Sequence, residues 1–235
     1  MRVAIMQPYF FPYIGYFQLI KAADRFILFD EVQYIRHGWI NRNRILKPVT
    51  GWQYITMPLV THSRDTLIKD IQVADVAVNK GKILRQLQHY KKTAPHYKAV
   101  MELLGDCLIK PGDNIVTMNA RCLKAVCDYI GIPFTIEIAS QLYFDYSGVQ
   151  HAGEWALRMS EQLKATAYIN PVGGRALFNP VQFEQSNIRL QFLQTGITTY
   201  SQRRNDFEPG LSIIDVMLFN EPAQINNFLN EYELV

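Results

Sequence analysis

Val3-Ala4-Ile5-Met6-Gln7-Pro8-Tyr9-Phe10-Phe11-Pro12-Tyr13-Ile14-Gly15-Tyr16-Phe17 opens the chain, and Arg25-Phe26-Ile27-Leu28-Phe29-Asp30-Glu31 follows it. The first four residues form a short apolar run that Pro8 stops, the pattern of a buried strand. Pro8, Pro12 and Gly15 make the next stretch a loop. Phe17, Leu19, Ile20 and Ala23 recur at helical spacing, so a short helix is expected over 16–23. Arg25–Phe29 is a second buried strand, ending in Asp30-Glu31. A strand-helix-strand unit of this kind crosses over right-handedly and makes its two strands parallel neighbours. Ligands of such sheets sit beyond the carboxyl ends of the strands. The 7–16 loop and Asp30 both fall at that edge.

Working outward, the same punctuation continues. Strands are expected at 52–60, 67–73, 133–138, 167–169 and 188–193. Helices are expected at 80–90, 98–108, 114–131, 153–163, 211–218 and 222–229, with a Gly/Pro/Asn loop over 170–180. Helices between strands predict an α/β fold, a largely parallel sheet with flanking helices. With 235 residues and no linker rich in Gly, Ser or Pro, one domain is expected over 1–235, with 75–112 a helical insertion or lid.

Hydrophobic residues make up 49% and charged residues 19%, enough apolar mass for a core. A formal charge of +3 is too small to argue for a nucleic-acid partner, which demands a clustered basic face, and it leaves room for anionic small molecules. Cys107, Cys122 and Cys127 form no CxxC pair, which argues against a zinc site or a disulfide framework and for a reducing compartment. The first residues lack a signal-peptide pattern and no apolar run approaches the ~20 residues of a membrane span, so a cytoplasmic protein without membrane insertion is expected. His37, His62, His89, His96 and His151 have no metal-ligand spacing, and no metal site is predicted. GxSxG, GxxxxGK[ST] and GxGxxG are all missing, which removes support for a serine hydrolase, a P-loop enzyme and a dinucleotide dehydrogenase.

Four clusters carry chemistry. The first is the aromatic loop. Gln7, whose amide both donates and accepts, ends the first strand; Tyr9 and Phe10 are candidates for substrate contact; Tyr13, Gly15 and Tyr16 can approach a phosphate or sugar. The same loop can also be a hydrophobic plug beneath the sheet. The second is His37-Gly38-Trp39-Ile40-Asn41-Arg42-Asn43-Arg44. Arg42 and Arg44 suit a phosphate or carboxylate, Trp39 can stack on a base or sugar, Asn41 and Asn43 can bind hydroxyls, and His37 is a candidate acid-base residue. Read otherwise, it is a solvated basic turn. The third is Asp30 with Glu31, able to hold a ribose hydroxyl, a metal ion or an attacking amine, or to be plain surface. The fourth is Gly173-Gly174-Arg175, an anion cradle or a simple turn. Asp206, Ser212 and Asp215 rank lower, with Ser212 expected to cap the last core helix and Asp215 to sit in its first turn.

The opening stretch, Asp30-Glu31-Val32-Gln33-Tyr34, Trp39–Arg44, Tyr168–Arg175, Tyr200 and Leu211–Asp215 together resemble the WbqC-like family, over nearly the whole chain. That resemblance implies a role in bacterial surface-polysaccharide (O-antigen) assembly, among other glycan-biosynthesis proteins. More distantly, Tyr13-Ile14-Gly15-Tyr16 stands where nucleotidyltransferases and pantothenate-synthetase-like ligases, with their Rossmann-like fold, carry an HxGH motif after the first strand. Here both histidines are tyrosines, which weighs against adenylyl transfer while leaving nucleotide binding. The expectation is therefore a transferase or ATP-dependent ligase acting on a nucleotide-linked (amino) sugar, using ATP or a nucleotide sugar, with Mg as an option. The alternative is a non-catalytic binding or scaffold protein of the glycan machinery.

Overall fold

The computed structural model describes residues 1–108, 114–196 and 199–235. Its main element is a six-stranded sheet in the order β5-β2-β1-β6-β7-β8. The strands are β1 (Arg2–Met6), β2 (Arg25–Leu28), β5 (Glu137–Ile138), β6 (Ala167–Pro171), β7 (Arg189–Thr195) and β8 (Tyr232–Leu234). All neighbours are parallel except β8, which runs antiparallel to β7. The expected α/β class and the parallel pairing of the first two strands are both present. A separate antiparallel hairpin joins β3 (Arg42–Leu46) to β4 (Trp52–Thr56).

Alternation along β1 feeds two cores. Val3 and Ile5 face one, with Ala156, Leu157 and Met159 of α5 (Glu154–Gln162) and Phe183 of α6 (Pro180–Gln185). Ala4 faces the other, with Phe17 and Leu19 of α1 (Ile14–Ala22) and the apolar stripe of α4 (Ile115–Ile130). Helices therefore cover both faces, as a buried parallel sheet requires. The connection β1-α1-β2 runs to one side of β1, and β6-α6-β7 runs away on the other. The strand order thus reverses between β1 and β6, and a crevice opens beyond their carboxyl ends.

Helix ends follow the residues that cap them. Asn114 starts α4 by accepting from Thr117 N, and Gly131, at φ +79°, ends it in the left-handed region that glycine adopts without strain. Ser212 caps α7 (Ile213–Phe219) through Ile214 N, as expected, and Pro222 opens α8 (Pro222–Phe228).

Several elements differ from expectation. The 67–73 stretch is not a strand. Ile68 and Ile71, three apart, are both buried at the start and just past the end of a 3-10 turn over Ile68–Asp70, and its flanks make only isolated bridges. The strand at 52–60 stops at Thr56, and that at 133–138 is reduced to Glu137–Ile138. The 170–180 loop holds a 3-10 turn, Val172–Leu177. Arg42–Arg44 is part of a strand, not a turn. The described part of 75–112 contains α2 (Val76–Gln86) and α3 (Tyr97–Cys107); residues 109–112 lie outside the described residues. Ile83, Val100 and Leu104 from these helices share a core cluster with Phe17 and Leu123. No helix among the described residues is long and apolar enough to cross a membrane.

Candidate functional site

A cleft of about 1090 Å³ occupies the crevice beyond β1 and β6. Gln7 and Asn170 stand at the two strand ends. Tyr9, Pro12 and Tyr13 come from the aromatic loop, and Trp39, Asn43 and Arg44 from the hairpin side. Trp155 and Met159 of α5 and Gly173 and Gly174 close the opposite wall.

The 7–13 loop is held by its carbonyls. Tyr16 Oη donates to Gln7 O (2.9 Å), Asn119 Nδ2 to Pro8 O (2.8 Å), and Asn43 Nδ2 to Phe10 O (3.1 Å) and Phe11 O (2.9 Å). Ser212 Oγ also donates to Phe11 O, and Ile213 N to Pro12 O. Each bond satisfies a backbone group that burial would otherwise leave costly. Phe11 sits at φ 39°, unusual for a residue with a Cβ, and the surrounding bonds fix it there. The plug and pocket readings of this loop divide between its residues. Phe10 and Phe11 are fully buried in the core, while Gln7, Tyr9 and Tyr13 line the cleft.

Not every expected residue reaches the cleft. Phe10 and Tyr16 are core residues, and Tyr16 spends its hydroxyl on Gln7 O. Gly15 is buried behind Tyr13: a Cβ there would run into the Tyr13 ring and stand 2.5 Å from Thr195 Oγ1. Its bareness therefore seats Tyr13 and does not open a path to a ligand. Asn41 bridges Tyr34 Oη (2.9 Å) and Met57 O (2.9 Å). Arg42 lies over the Tyr54 ring at 4.2 Å and bonds the carbonyls of His37 and Gly38. Arg44 does line the cleft. Its guanidinium lies near the rings of Trp39 (5.6 Å) and Trp52 (5.2 Å), donates to Gly210 O (2.8 Å), and keeps a buried Nε without a partner. Gly173 and Gly174 line the cleft, whereas Arg175 lies over Phe192 at 4.8 Å.

The proposed acid-base residues lie outside the lining. Asp30 is buried, with Ser140 donating from N (3.0 Å) and Oγ (2.6 Å). Burial raises its carboxyl above the ordinary range, and the Ser140 bonds pull partly back. Glu31 pairs with Lys69 (3.2 Å) and accepts from Tyr146 Oη (2.7 Å). His37 is exposed at φ 65°, a left-handed position. Among the described residues, no carboxylate, imidazole or thiol lines the cleft. Burial raises the hydroxyls of Tyr9 and Tyr13, so both are neutral hydrogen-bond donors near pH 7. No group of three or more His, Cys, Asp or Glu among the described residues is placed to hold a metal.

Asn119, which sequence reasoning did not single out, and Asp215, which it ranked low, complete the arrangement. Asn119 donates to Pro8 O and to Ile40 O (2.7 Å), tying the loop to the hairpin approach. A polar residue inside the apolar stripe of α4 was its only sequence signal. Asp215 is fully buried and accepts from Tyr90 Oη (2.6 Å) and Tyr200 Oη (2.6 Å), and Tyr90 Oη accepts from Leu46 N. Burial pushes its carboxyl up to about 6.

The model of the WbqC-like protein family matches residues 7–227. An uncharacterized protein of Mycobacterium tuberculosis (strain ATCC 25618 / H37Rv), Rv1507c, is 31% identical over 236 residues, covering 97% of each chain. No solved structure matches significantly. A family match spanning the aromatic loop, the hairpin and the capped α7, with a relative aligned over nearly its full length, assigns this chain to the WbqC-like protein family.

Proposed function

We propose that the cleft binds a nucleotide-linked sugar and that the protein serves bacterial surface-polysaccharide (O-antigen) biosynthesis in the cytoplasm, as a transferase or ligase. The observation that carries this reading is the position of the cleft: it lies where the strand order reverses, between Gln7, just past the end of β1, and Asn170 of β6. That is where open α/β sheets bind nucleotides. The lining suits the ligand class. Trp39, Tyr9 and Trp155 offer faces for a base or sugar, Gln7 offers an amide for a hydroxyl, and Arg44 offers a cation. The family resemblance supplies the polysaccharide setting.

A thermal-shift screen of nucleotides and sugar nucleotides tests the reading. A ligand at 100 times its dissociation constant should add about 2.7 kcal/mol to stability. Absence of a shift with every sugar nucleotide would remove it.

A second reading has its own observation. With no carboxylate, imidazole or thiol among the described lining residues, the cleft has binding groups but no general base of ordinary kind. This favours a non-catalytic binding protein of the glycan machinery. Turnover of a bound sugar nucleotide with pathway acceptors separates the two: binding without turnover supports the second.

A further inference from the structure

The guanidiniums free to grip an anion near the cleft are not those of the hairpin strand. Arg42 is spent on two carbonyls and the Tyr54 ring, and Arg44 is partly spent on Gly210 O. A second pocket of about 500 Å³ adjoins the cleft, and Gln33 and Ile35 line both. Arg36, His62 and Arg64 converge on it. Both arginines are exposed, and neither side chain is held by a hydrogen bond or ion pair among the described residues.

His62 gives a second, independent sign. Its Nδ1 lies 2.8 Å from Val60 O, which makes Nδ1 the nitrogen bearing hydrogen. Its Nε2 is buried and has no partner. A buried ring nitrogen left without a bond is costly, and with the hydrogen on Nδ1 the Nε2 is an acceptor that a phosphoryl O–H in this pocket would supply with a donor. The ring stands edge-on to Tyr34 at 5.1 Å, which fixes its orientation. Asp65 is not part of the pocket lining: its exposed carboxylate takes a long bond (3.4 Å) from Gln33 Nε2, which is also engaged at 2.7 Å with Arg64 O.

We propose that this pocket is a phosphate subsite, in which Arg36, Arg64 and His62 hold the diphosphate of the ligand whose base and sugar occupy the adjoining cleft. It rests on the nucleotide reading of that cleft, and it relocates the phosphate grip from the β3 arginines to the turn after β2 and the 61–66 loop. Planar guanidiniums with a nearby imidazole make charge-assisted bonds to phosphoryl oxygens, which uncharged cleft residues cannot match.

Calorimetric titration of the full chain with inorganic pyrophosphate, with uridine and UDP, and with adenosine and ADP tests the proposal. Pyrophosphate should bind the native protein. One diphosphate should bind at least about tenfold more tightly than its nucleoside, given two charge-assisted contacts. In the Arg36→Ala/Arg64→Ala variant that gain and pyrophosphate binding should both vanish, while nucleoside affinity and melting temperature stay unchanged. Pyrophosphate binding that survives in the variant, or its absence in the native protein, overturns the subsite. Pyrophosphate binding lost in the variant, with no nucleoside or diphosphate preference, supports the oxyanion pocket and overturns the nucleotide reading of the cleft.

Discussion

Arg42 and Arg44 differ by two positions, and in a strand that places them on the same side of the hairpin. Their partners still separate them. Arg42 is held away from the cleft by carbonyls and Tyr54, whereas Arg44 contributes a buried, unpartnered Nε to its wall region. Arg44→Lys should therefore weaken binding of a sugar nucleotide about tenfold, because a lysine cannot reproduce the fork stacked near two indoles. Arg42→Lys should leave binding within about twofold. Calorimetry on both variants checks the contrast, and equal losses would contradict it. Sequence reading treated the two arginines alike because composition shows the guanidiniums and not the carbonyls that consume one of them. The same limit applies to Gly15 and Tyr16, whose residue types suit a ligand but whose packing is internal.

Asp215 gives a pH signature at the same scale. Its carboxyl rises from an ordinary value of 3.8 to about 6, mainly through burial, against the pull of the Tyr200 and Tyr90 hydroxyls. A carboxyl raised in the folded state contributes stability that is complete below its unfolded value and is lost as pH rises through about 6. Two units correspond to roughly 3 kcal/mol. Denaturant melts of the native protein and Asp215→Asn should thus diverge with pH. The native protein should lose about 3 kcal/mol relative to the variant between about pH 4 and pH 7.5. Parallel curves would contradict a raised Asp215.

At the scale of elements, β1, α1 and β2 were legible because Pro8 and the return of an apolar run at Phe26 punctuate them sharply. The hairpin strand β3 was not. Arg42-Asn43-Arg44-Ile45 alternates with period two, but Asn43 occupies an inward position where an apolar residue is expected, because its amide serves Phe10 O and Phe11 O. The 67–73 stretch failed in the opposite sense: Leu67, Ile71 and Val73 would share one face of a strand, but the buried pair is Ile68 and Ile71, three apart, and no neighbouring strand offers a continuous ladder. Asn119 joins elements in a way no local pattern encodes, linking α4 to Pro8 O and Ile40 O. Asn119→Ala should unseat both carbonyls and cost about 2–6 kcal/mol, at about 1–3 kcal/mol per buried group left unsatisfied. It should also weaken ligand binding by loosening the aromatic loop. Chemical denaturation and a ligand titration measure the two effects. A stability change under about 0.5 kcal/mol, the size of an ordinary surface substitution, would show that the clamp is unimportant.

For the whole molecule, the reversal of strand order between β1 and β6 decides where a ligand can go. The first thirty residues made that edge readable, since Gln7 and Asp30 both fall there. The opposite wall was not readable, because Trp155 and Met159 arrive from α5, more than a hundred residues on, and line the cleft only through tertiary packing. We propose that the chain works as one domain, since α2 and α3 share the core cluster of α1 and α4.

Gly173 gives the most direct access to the central claim. It lines the cleft, and a Cβ added there meets nothing within 4 Å, so a larger side chain fills the binding space without straining the fold. The decisive measurement is a calorimetric titration of the native protein and Gly173→Leu with the sugar nucleotide that gives the largest thermal shift. Loss of binding in a variant that melts within about 2 °C of the native protein is the predicted result. Native affinity in Gly173→Leu would place the ligand elsewhere and contradict the assignment of the β1–β6 cleft as the sugar-nucleotide site.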